Sequence, residues 1–229
     1  MFWNDDNQRK HTFEVPDSVL DINYKIKCSH LPLDHAYALS EVITQKFPWV
    51  KSHDLAGMHL IHGAESGNGW IRPTDPKELI YPSRRTLFTL RVPKEHVEEA
   101  KTLVGQSLSL LDTQIEFTQA SERPLYKLTT IFSRYIISAA DEEENTFLEN
   151  AHKALEIMNI RPQKMMCGRS VILSFPDRDI TTRSLMIDGI EPQESVRLQQ
   201  EGLGIGRHFG CGLFLPHKGI DAVGDTQEK

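Results

Sequence analysis

The sequence predicts an α+β protein in which one order of elements, strand-helix-strand-strand-helix-strand, occurs twice. Segments such as VLDINYKIKCS (19–29) alternate apolar and polar residues, which is typical of half-buried strands. Segments such as HAYALSEVI (35–43) carry apolar residues at helical spacing. Because this element order defines the ferredoxin-like unit, we expect two such units in tandem, over residues 18–122 and 128–220.

The first predicted unit begins with the strand over 19–29, in which Leu20, Ile22 and Tyr24 share one face. Asp34 is placed to cap the helix that follows, over 31–47. The remaining elements of this unit are a strand over 56–65, a turn-rich loop over 66–73, a strand over 84–93, a helix over 94–105 and one or two strands over 106–119.

The second predicted unit repeats the order with a longer helix and a glycine-rich segment before its last strand. Its elements are a strand over 128–139, a helix over 141–159, strands over 163–175 and 182–190, a helix over 191–202 and a strand over 211–216. Residues 1–17 are polar and acidic, so we expect a loose extension there, and residues 221–229 form an acidic tail.

Charge and cysteine content narrow the class of protein. The net charge is −6, but residues 141–160 contribute −5 and the two ends contribute −2 each, which leaves +3 on the remaining body. The three cysteines are far apart and form no CxxC pair, which favours free thiols over a zinc site. We find no apolar run of membrane-spanning length and no signal-peptide core, so we expect a cytoplasmic protein that binds no membrane.

The segment EGLGIGRHFGCGLFLPHKG (201–219) is the most unusual stretch of the chain. No Lys-Ser or Lys-Thr pair follows its glycines, and Phe209 stands where a dinucleotide fingerprint needs its third glycine. Both of those motifs also lead from a strand into a helix, whereas this segment leads from a helix into a strand. A nucleotide cofactor is therefore excluded at this loop, and no metal or other cofactor is indicated elsewhere.

Two interpretations of the glycine segment remain. Residues 202–220 contain no acid, so exposed backbone amides there could bind an anion and Arg207 could clamp a phosphate. Alternatively, the glycines let the loop pack tightly against a neighbouring strand. The absence of acids favours binding to a polyanion.

Taken together, these segments resemble a known family, the CRISPR-associated endoribonucleases that cut repeat RNA into guides. The family is the sixth Cas family, and the similarity is to its MYXAN-subtype branch. The resemblance spans residues 31–220 and is carried by LPLDHAYALSEVI, PWV, IHGAESGNGWIRP, SRRTLFTLRVP and RSLMIDGIEPQESVRLQQEGLGIGRHFGCGLFLPHKGI. A glycine-rich loop before the last strand of a second ferredoxin-like (RRM-like) unit is characteristic of this family.

The resemblance implies a substrate, a reaction and partners. It implies metal-independent cleavage of precursor CRISPR RNA by the RNA's own 2′-hydroxyl, leaving a 2′,3′-cyclic phosphate and a 5′-hydroxyl. It also implies that the protein keeps the product and joins other Cas subunits in a Cascade-like complex, which would meet target DNA only indirectly. For such a reaction the protein must supply a proton-transferring group and cations near the phosphate.

Histidine is the side chain best suited to move a proton near neutral pH. His35 is the first candidate, because the start of a helix favours the neutral ring and the family commonly places its catalytic histidine in this helix or just after it. Tyr37 lies on another helical face but could reach the site from a frayed start. His59 and His62 are the alternatives; three residues apart in a predicted strand, they are expected to point to opposite faces.

The residues expected to contact RNA are spread along the chain. Arg84 and Arg85 begin a predicted strand and face opposite ways, so one of them is expected to touch RNA. Trp70 could stack on a base, although a core position is the alternative. The full predicted set is Trp70, Arg72, Arg84, Arg85, Arg134, Lys164, Arg169, Gly204, Gly206, Arg207, His208, Gly210 and Lys218.

Two rival functions stay open at this point. One is an RNA-binding subunit of the same fold that has lost catalysis. The other is a ferredoxin-like enzyme for small molecules, which is disfavoured because the sequence has no metal-ligand spacing, no cofactor motif and no paired carboxylates. Binding of repeat RNA without cleavage would favour the first rival.

Overall fold

The first sheet is built around the alternating strand that the sequence predicts. The structure is a computed structural model, and it describes residues 13–63 and 78–217. We call residues 13–124 the first half of the protein and the remaining described residues the second half. The strands of the first half are β1 (Val19–Lys27), β2 (Leu31–Pro32), β3 (Gly57–His59), β4 (Leu79–Ile80), β5 (Leu87–Pro93), β6 (Ser107–Leu110) and β7 (Thr113–Pro124). Five of them form an antiparallel sheet in the order β3-β5-β1-β7-β6, with β1 at its centre, and β2 pairs with β4 separately.

Three helices belong to this half: α1 (Ala36–Lys46), α2 (Trp49–Ser52) and α3 (Val97–Lys101). α1 buries Leu39 and Ile43, which are one helical turn apart, in the same apolar core as Ile22 of β1. The helix predicted over 94–105 is shorter in the structure, because a 3₁₀ turn precedes α3 and the chain turns at Gly105 (φ +82°).

The second sheet has four strands in the order β11-β8-β10-β9. Its elements are β8 (Ile131–Ile137), α4 (Glu144–Ile157), β9 (Lys164–Ser174), β10 (Asp179–Asp188), α5 (Pro192–Glu201) and β11 (Leu215–Pro216). Numbered within the unit, this is the order 4-1-3-2 of a ferredoxin-like sheet, and the strands β7, β1, β5 and β3 repeat it in the first half. The predicted fold of two tandem ferredoxin-like units is confirmed.

Local sequence signals account for both ends of α5. Glu191 and Glu194 form a reciprocal capping box, and Pro192 occupies the first turn, where its missing N–H costs nothing. Gly202 ends the helix with a positive φ of +75°, a conformation that a glycine adopts without strain. The helix end therefore delivers the chain into the glycine-rich loop (202–212).

The strands β3 and β11, which lie beside this loop, keep only a small part of their predicted lengths. β3 ends at His59 although the predicted strand runs to 65, and β11 covers only the last two residues of the predicted 211–216. The loop takes over part of the packing there, since the Gly212 amide donates to the Tyr135 carbonyl and Gly210 packs on Leu60.

The apolar core of the first half also includes Tyr135, Leu173 and Cys211 of the second half, so the two sheets share buried surface. Among the described helices, none is long and apolar enough to cross a bilayer.

Candidate functional site between the two sheets

A cavity of about 460 Å³ lies where the two halves meet. The first half contributes β3, the residues that follow it and the start of β5, and the second half contributes β8 and the end of the glycine-rich loop. The polar and aromatic residues that line the cavity are His59, His62, Arg85, Thr86, Thr89, Phe132, Arg134 and Tyr135. Histidine, tyrosine and arginine together provide groups for proton transfer and for binding an anion.

The two histidines of the AGMHLIHG segment reach the same cavity, which corrects the prediction that they point apart. The prediction assumed one strand through both residues, but β3 ends at His59. The strand alternation therefore does not extend to His62, and the chain beyond β3 turns its side chain toward β8.

His62 is held against β8 by a hydrogen bond and ring stacking. Its Nε2 lies 3.1 Å from the hydroxyl of Tyr135, and the two ring planes are 15° apart with centroids 5.9 Å apart. His62 is half-buried and lines the cavity, so a substrate in the cavity would meet an imidazole with a fixed orientation.

His59 occupies a more enclosed position in the same wall. Its Nε2 is buried and has no hydrogen-bond partner among the described residues. Burial, and then the charge of Arg91, lower the pKa of His59 to about 3, while Asp21 acts in the opposite direction. At neutral pH the ring is therefore uncharged and too weakly basic to serve as the main proton acceptor.

Two arginines, one from each half of the protein, bring positive charge to the cavity. Arg134 belongs to β8, and its guanidinium carbon lies 5.6 Å from the centroid of the Phe132 ring. Arg85 lies in the exposed turn before β5. The neighbouring Arg84 is also exposed but does not line the cavity.

The structure does not support His35 as the general base. His35 stands at the N-cap of α1 and is only 2% exposed. Its Nδ1 lies 2.9 Å from the Pro32 carbonyl, and its Nε2 accepts the Ile61 amide at 3.1 Å. Both ring nitrogens thus serve the backbone, so the ring ties α1 to the segment after β3 and has no nitrogen available for a substrate.

Tyr37 also lies away from the cavity. Its ring contacts Phe175 edge-on, with centroids 5.6 Å apart, and Phe175 contacts Phe209 of the glycine-rich loop in the same manner. Tyr37 therefore packs α1 against the second half, and we correct its predicted catalytic role.

Arg207 is a buried packing residue, which corrects its predicted role as a phosphate clamp. Its Nε donates to the Ala56 carbonyl at 2.9 Å, and its Nη2 donates to the carbonyls of Leu55 and Gln200 at 2.8 and 2.9 Å. It is 9% exposed, and burial lowers its pKa to about 9. The guanidinium therefore fastens the loop to the end of α5 and to the segment before β3.

Most glycines of the loop allow close packing against neighbouring residues. A side chain at Gly210 would meet Leu60 Cγ at 2.7 Å, and Gly206 faces Ile137 and Cys211. Gly204 is exposed and has nothing near its missing side chain. His208 lies against Phe209, and burial followed by the charge of Lys51 lowers its pKa. Only Gly210 of the predicted loop contacts lines the cavity, so the second interpretation of the loop, tight packing, describes most of it.

The remaining predicted contacts are outside the cavity or outside the described residues. Lys164 and Arg169 are exposed on β9, the edge strand of the second sheet, and neither lines the cavity. Trp70, Arg72 and Lys218 lie outside the described residues. Within the described ranges, no group of three or more histidine, cysteine or acidic side chains is placed to hold a metal ion.

Sequence reasoning missed Tyr135, and it ranked His62 only as an alternative. The signal for Tyr135 was its position beside Arg134 in the first predicted strand of the second unit. Which residue of this strand would face the first unit depends on how the two sheets meet, which a strand pattern alone does not contain.

Comparisons with known proteins identify the family. The family model described as Cas6 Crispr matches residues 20–219. Over 197 residues the chain is 27% identical to the CRISPR-associated endonuclease Cas6 of Myxococcus xanthus (strain DK1622), covering 86% of this chain and 81% of that protein.

Solved structures show the same fold at low sequence identity. A CRISPR associated protein Cas6 superposes with a TM-score of 0.58 at 11% identity, covering 87% of this chain and 100% of that one. A protein described as an RAMP protein binding different RNA substrates gives 0.55 at 13% identity, covering 85% and 98%. Thermus thermophilus Cse3 bound to an RNA representing a pre-cleavage complex gives 0.51 at 10% identity, covering 86% and 98%. The chain belongs to the Cas6 family.

Proposed function

We propose that this chain is an endoribonuclease that binds CRISPR repeat RNA and cleaves precursor CRISPR RNA in the cavity between its two sheets. The observation that carries the proposal is the convergence of His62, Tyr135, Arg85 and Arg134 on one cavity. The relative from Myxococcus xanthus is named as a CRISPR-associated endonuclease, and the Thermus thermophilus relative is bound to RNA. Family membership and cavity chemistry therefore favour the same reaction.

The nucleophile in this proposal is the RNA's own 2′-hydroxyl. His62 accepts the proton of that hydroxyl as its oxygen bonds to the neighbouring phosphorus. The bond from phosphorus to the 5′-oxygen breaks, and the leaving oxygen takes up a proton from water to become a 5′-hydroxyl. The other product ends in a 2′,3′-cyclic phosphate. Neither a metal ion nor a protein nucleophile takes part.

The other residues orient the imidazole and stabilise charge. The hydrogen bond between His62 Nε2 and the Tyr135 hydroxyl fixes the orientation of the imidazole. Arg85 and Arg134 approach the cavity from different halves of the protein and stabilise the additional negative charge of the pentacoordinate phosphorus. His59 stays neutral beside them, because burial and Arg91 disfavour its charged form. The product then stays bound, and the protein enters a guide-RNA complex with other Cas subunits.

Cleavage of a repeat RNA in EDTA tests the reaction. We expect full activity without divalent metal, 5′ ends that a polynucleotide kinase labels directly, and 3′ ends that resist extension until the cyclic phosphate is removed. A matched RNA with a single 2′-deoxy nucleotide at the cut should bind equally well and stay intact. Cleavage of that RNA, or a strict need for Mg²⁺, would contradict the mechanism. Tight binding of both RNAs without any cleavage would favour the alternative function, a catalytically inactive crRNA-binding subunit.

A further inference from the structure

Arg91 of β5 connects the two halves of the protein through a set of buried hydrogen bonds. Its Nε and Nη2 donate to the two carboxylate oxygens of Asp21 on β1, at 2.9 and 3.0 Å. Its Nη1 donates to the Gln199 carbonyl at 2.6 Å, and its Nη2 also donates to the Phe214 carbonyl at 3.0 Å. The side chain is fully buried, so all three guanidinium nitrogens are used inside the protein.

The partners of Arg91 in the second half are backbone groups beside the cavity. Gln199 is in the last turn of α5, where carbonyls lack partners within the helix and a cation is favourable. Phe214 stands between Leu213 and Leu215, both of which line the cavity. By bonding to the Phe214 carbonyl, Arg91 therefore holds the chain at the start of β11, where Leu213 and Leu215 line the cavity.

Arg91 and Asp21 also belong to the cavity-facing side of the first sheet. Arg91 pairs with Asp21 on one side and with Gly57 on the other, so these residues share one face. Two residues earlier in β5, Thr89 is paired with His59, and both of these line the cavity. Arg91 thus belongs to a strand that lines the cavity from the first half, and its buried side chain bonds to the segment that lines it from the second half.

A charged pair at this depth is not required for packing alone. Burying an ion pair carries a desolvation cost that well-packed apolar residues of similar size avoid. Burial opposes the ionisation of Asp21, but the charge and hydrogen bonds of Arg91 prevail and lower its pKa. An apolar pair could fill the same space, but it could not bond to two carbonyls of the other half at fixed distances.

We propose that Arg91, held in place by Asp21, is a positioning residue that sets the separation of the two walls of the catalytic cavity. The inference rests on the proposed function for its activity measurement. Arg91 touches no reacting atom in this account; it acts through β5 and β11 on the residues that do. Because His62 comes from one half and Arg134 from the other, an error in that separation slows the chemical step.

The double variant Asp21→Leu with Arg91→Met tests this proposal, because it removes the bonds while keeping the volume filled. We expect thermal unfolding within a few degrees of the wild type, repeat-RNA affinity within a fewfold, and single-turnover cleavage slower by about 10²-fold. The matched control removes the exposed pair Lys27–Glu116, which joins β1 to β7 in the same sheet, and it should cleave at the wild-type rate. Normal cleavage by a folded double variant would overturn the proposal.

Two further measurements keep the outcome decisive. If the double variant fails to fold, Arg91→Lys replaces it: this variant keeps the charge beside Asp21 but loses the fork that reaches both carbonyls, and wild-type cleavage by it would refute the role. If the wild type itself does not cleave, the proposed function fails, and hydrogen exchange decides the role of Arg91 separately. Amides of residues 203–215 should then exchange faster in the Arg91 variants than in the Lys27–Glu116 control, and equal exchange would overturn the inference.

Discussion

Burial separates the arginines that can meet RNA from those that hold the protein together. Arg207 and Arg91 are buried and donate hydrogen bonds to backbone carbonyls, and Arg91 also pairs with Asp21. Arg85 is exposed and lines the cavity, and Arg84 is also exposed but does not line it. These two neighbours form a natural pair for testing which surface the RNA contacts.

We predict that Arg85→Ala weakens repeat-RNA binding and lowers the slope of log affinity against log salt by about 0.7–0.9, the value for one lost phosphate contact. Arg84→Ala should leave the slope nearly unchanged, because its side chain does not line the cavity. Fluorescence anisotropy titrations at several salt concentrations measure both slopes. Equal slopes for wild type and Arg85→Ala would show that Arg85 does not contact phosphate.

His59 makes stability depend on pH in a predictable direction. Its folded-state pKa of about 3 lies below the ordinary histidine value of 6.5. Between these values the unfolded chain binds a proton that the folded protein does not, so stability falls as pH drops from 6.5 toward 3. The slope from this one group is about 1.4 kcal/mol per pH unit. Urea unfolding of His59→Gln should lose that contribution, and an unchanged pH dependence would refute the assignment.

At the scale of elements, the glycine-rich loop connects α5 to β11 and is buried over most of its length, with Gly204 and Ile205 exposed. Glycine density correctly marked a backbone of special shape, since Gly202, Gly204, Gly206, Gly210 and Gly212 all have positive φ angles. The sequence could not show which atoms surround that backbone. An anion cradle and a tight packing loop need the same conformational freedom, so the glycines alone do not separate them.

Two glycines of this loop separate backbone strain from packing. Gly204→Ala introduces a side chain into open space at a φ of +78°, so we expect only the strain of that conformation, about 1–2 kcal/mol. Gly210→Ala, at a φ of +88°, also pushes against Leu60 and should cost about 1–3 kcal/mol more. Chemical denaturation measures both values. An equal loss in the two variants would mean that Gly210 is not packed as described.

At the scale of the whole molecule, the fold could be predicted from the sequence, but the composition of the cavity could not. Strand alternation and helical spacing depend on near neighbours in the chain, which is why the two ferredoxin-like units followed from the sequence. The cavity forms where two distant strands face each other, so His62 and Tyr135 meet across 73 positions of sequence. His35 shows the opposite case. Its position at a helix start predicted a catalytic role, but its ring nitrogens are hydrogen-bonded to the Pro32 carbonyl and the Ile61 amide.

Single-turnover cleavage of repeat RNA by His62→Ala tests the central claim most directly. General acid–base catalysis contributes about 10²–10⁴-fold, so the variant should lose that much rate while its RNA affinity stays within a fewfold. His30→Ala is the matched control, because His30 is partly buried, its Nε2 lies 3.4 Å from the Asp112 carboxylate and it does not line the cavity. The account predicts a wild-type rate for His30→Ala and a severe loss for His62→Ala. A wild-type rate for His62→Ala would contradict it.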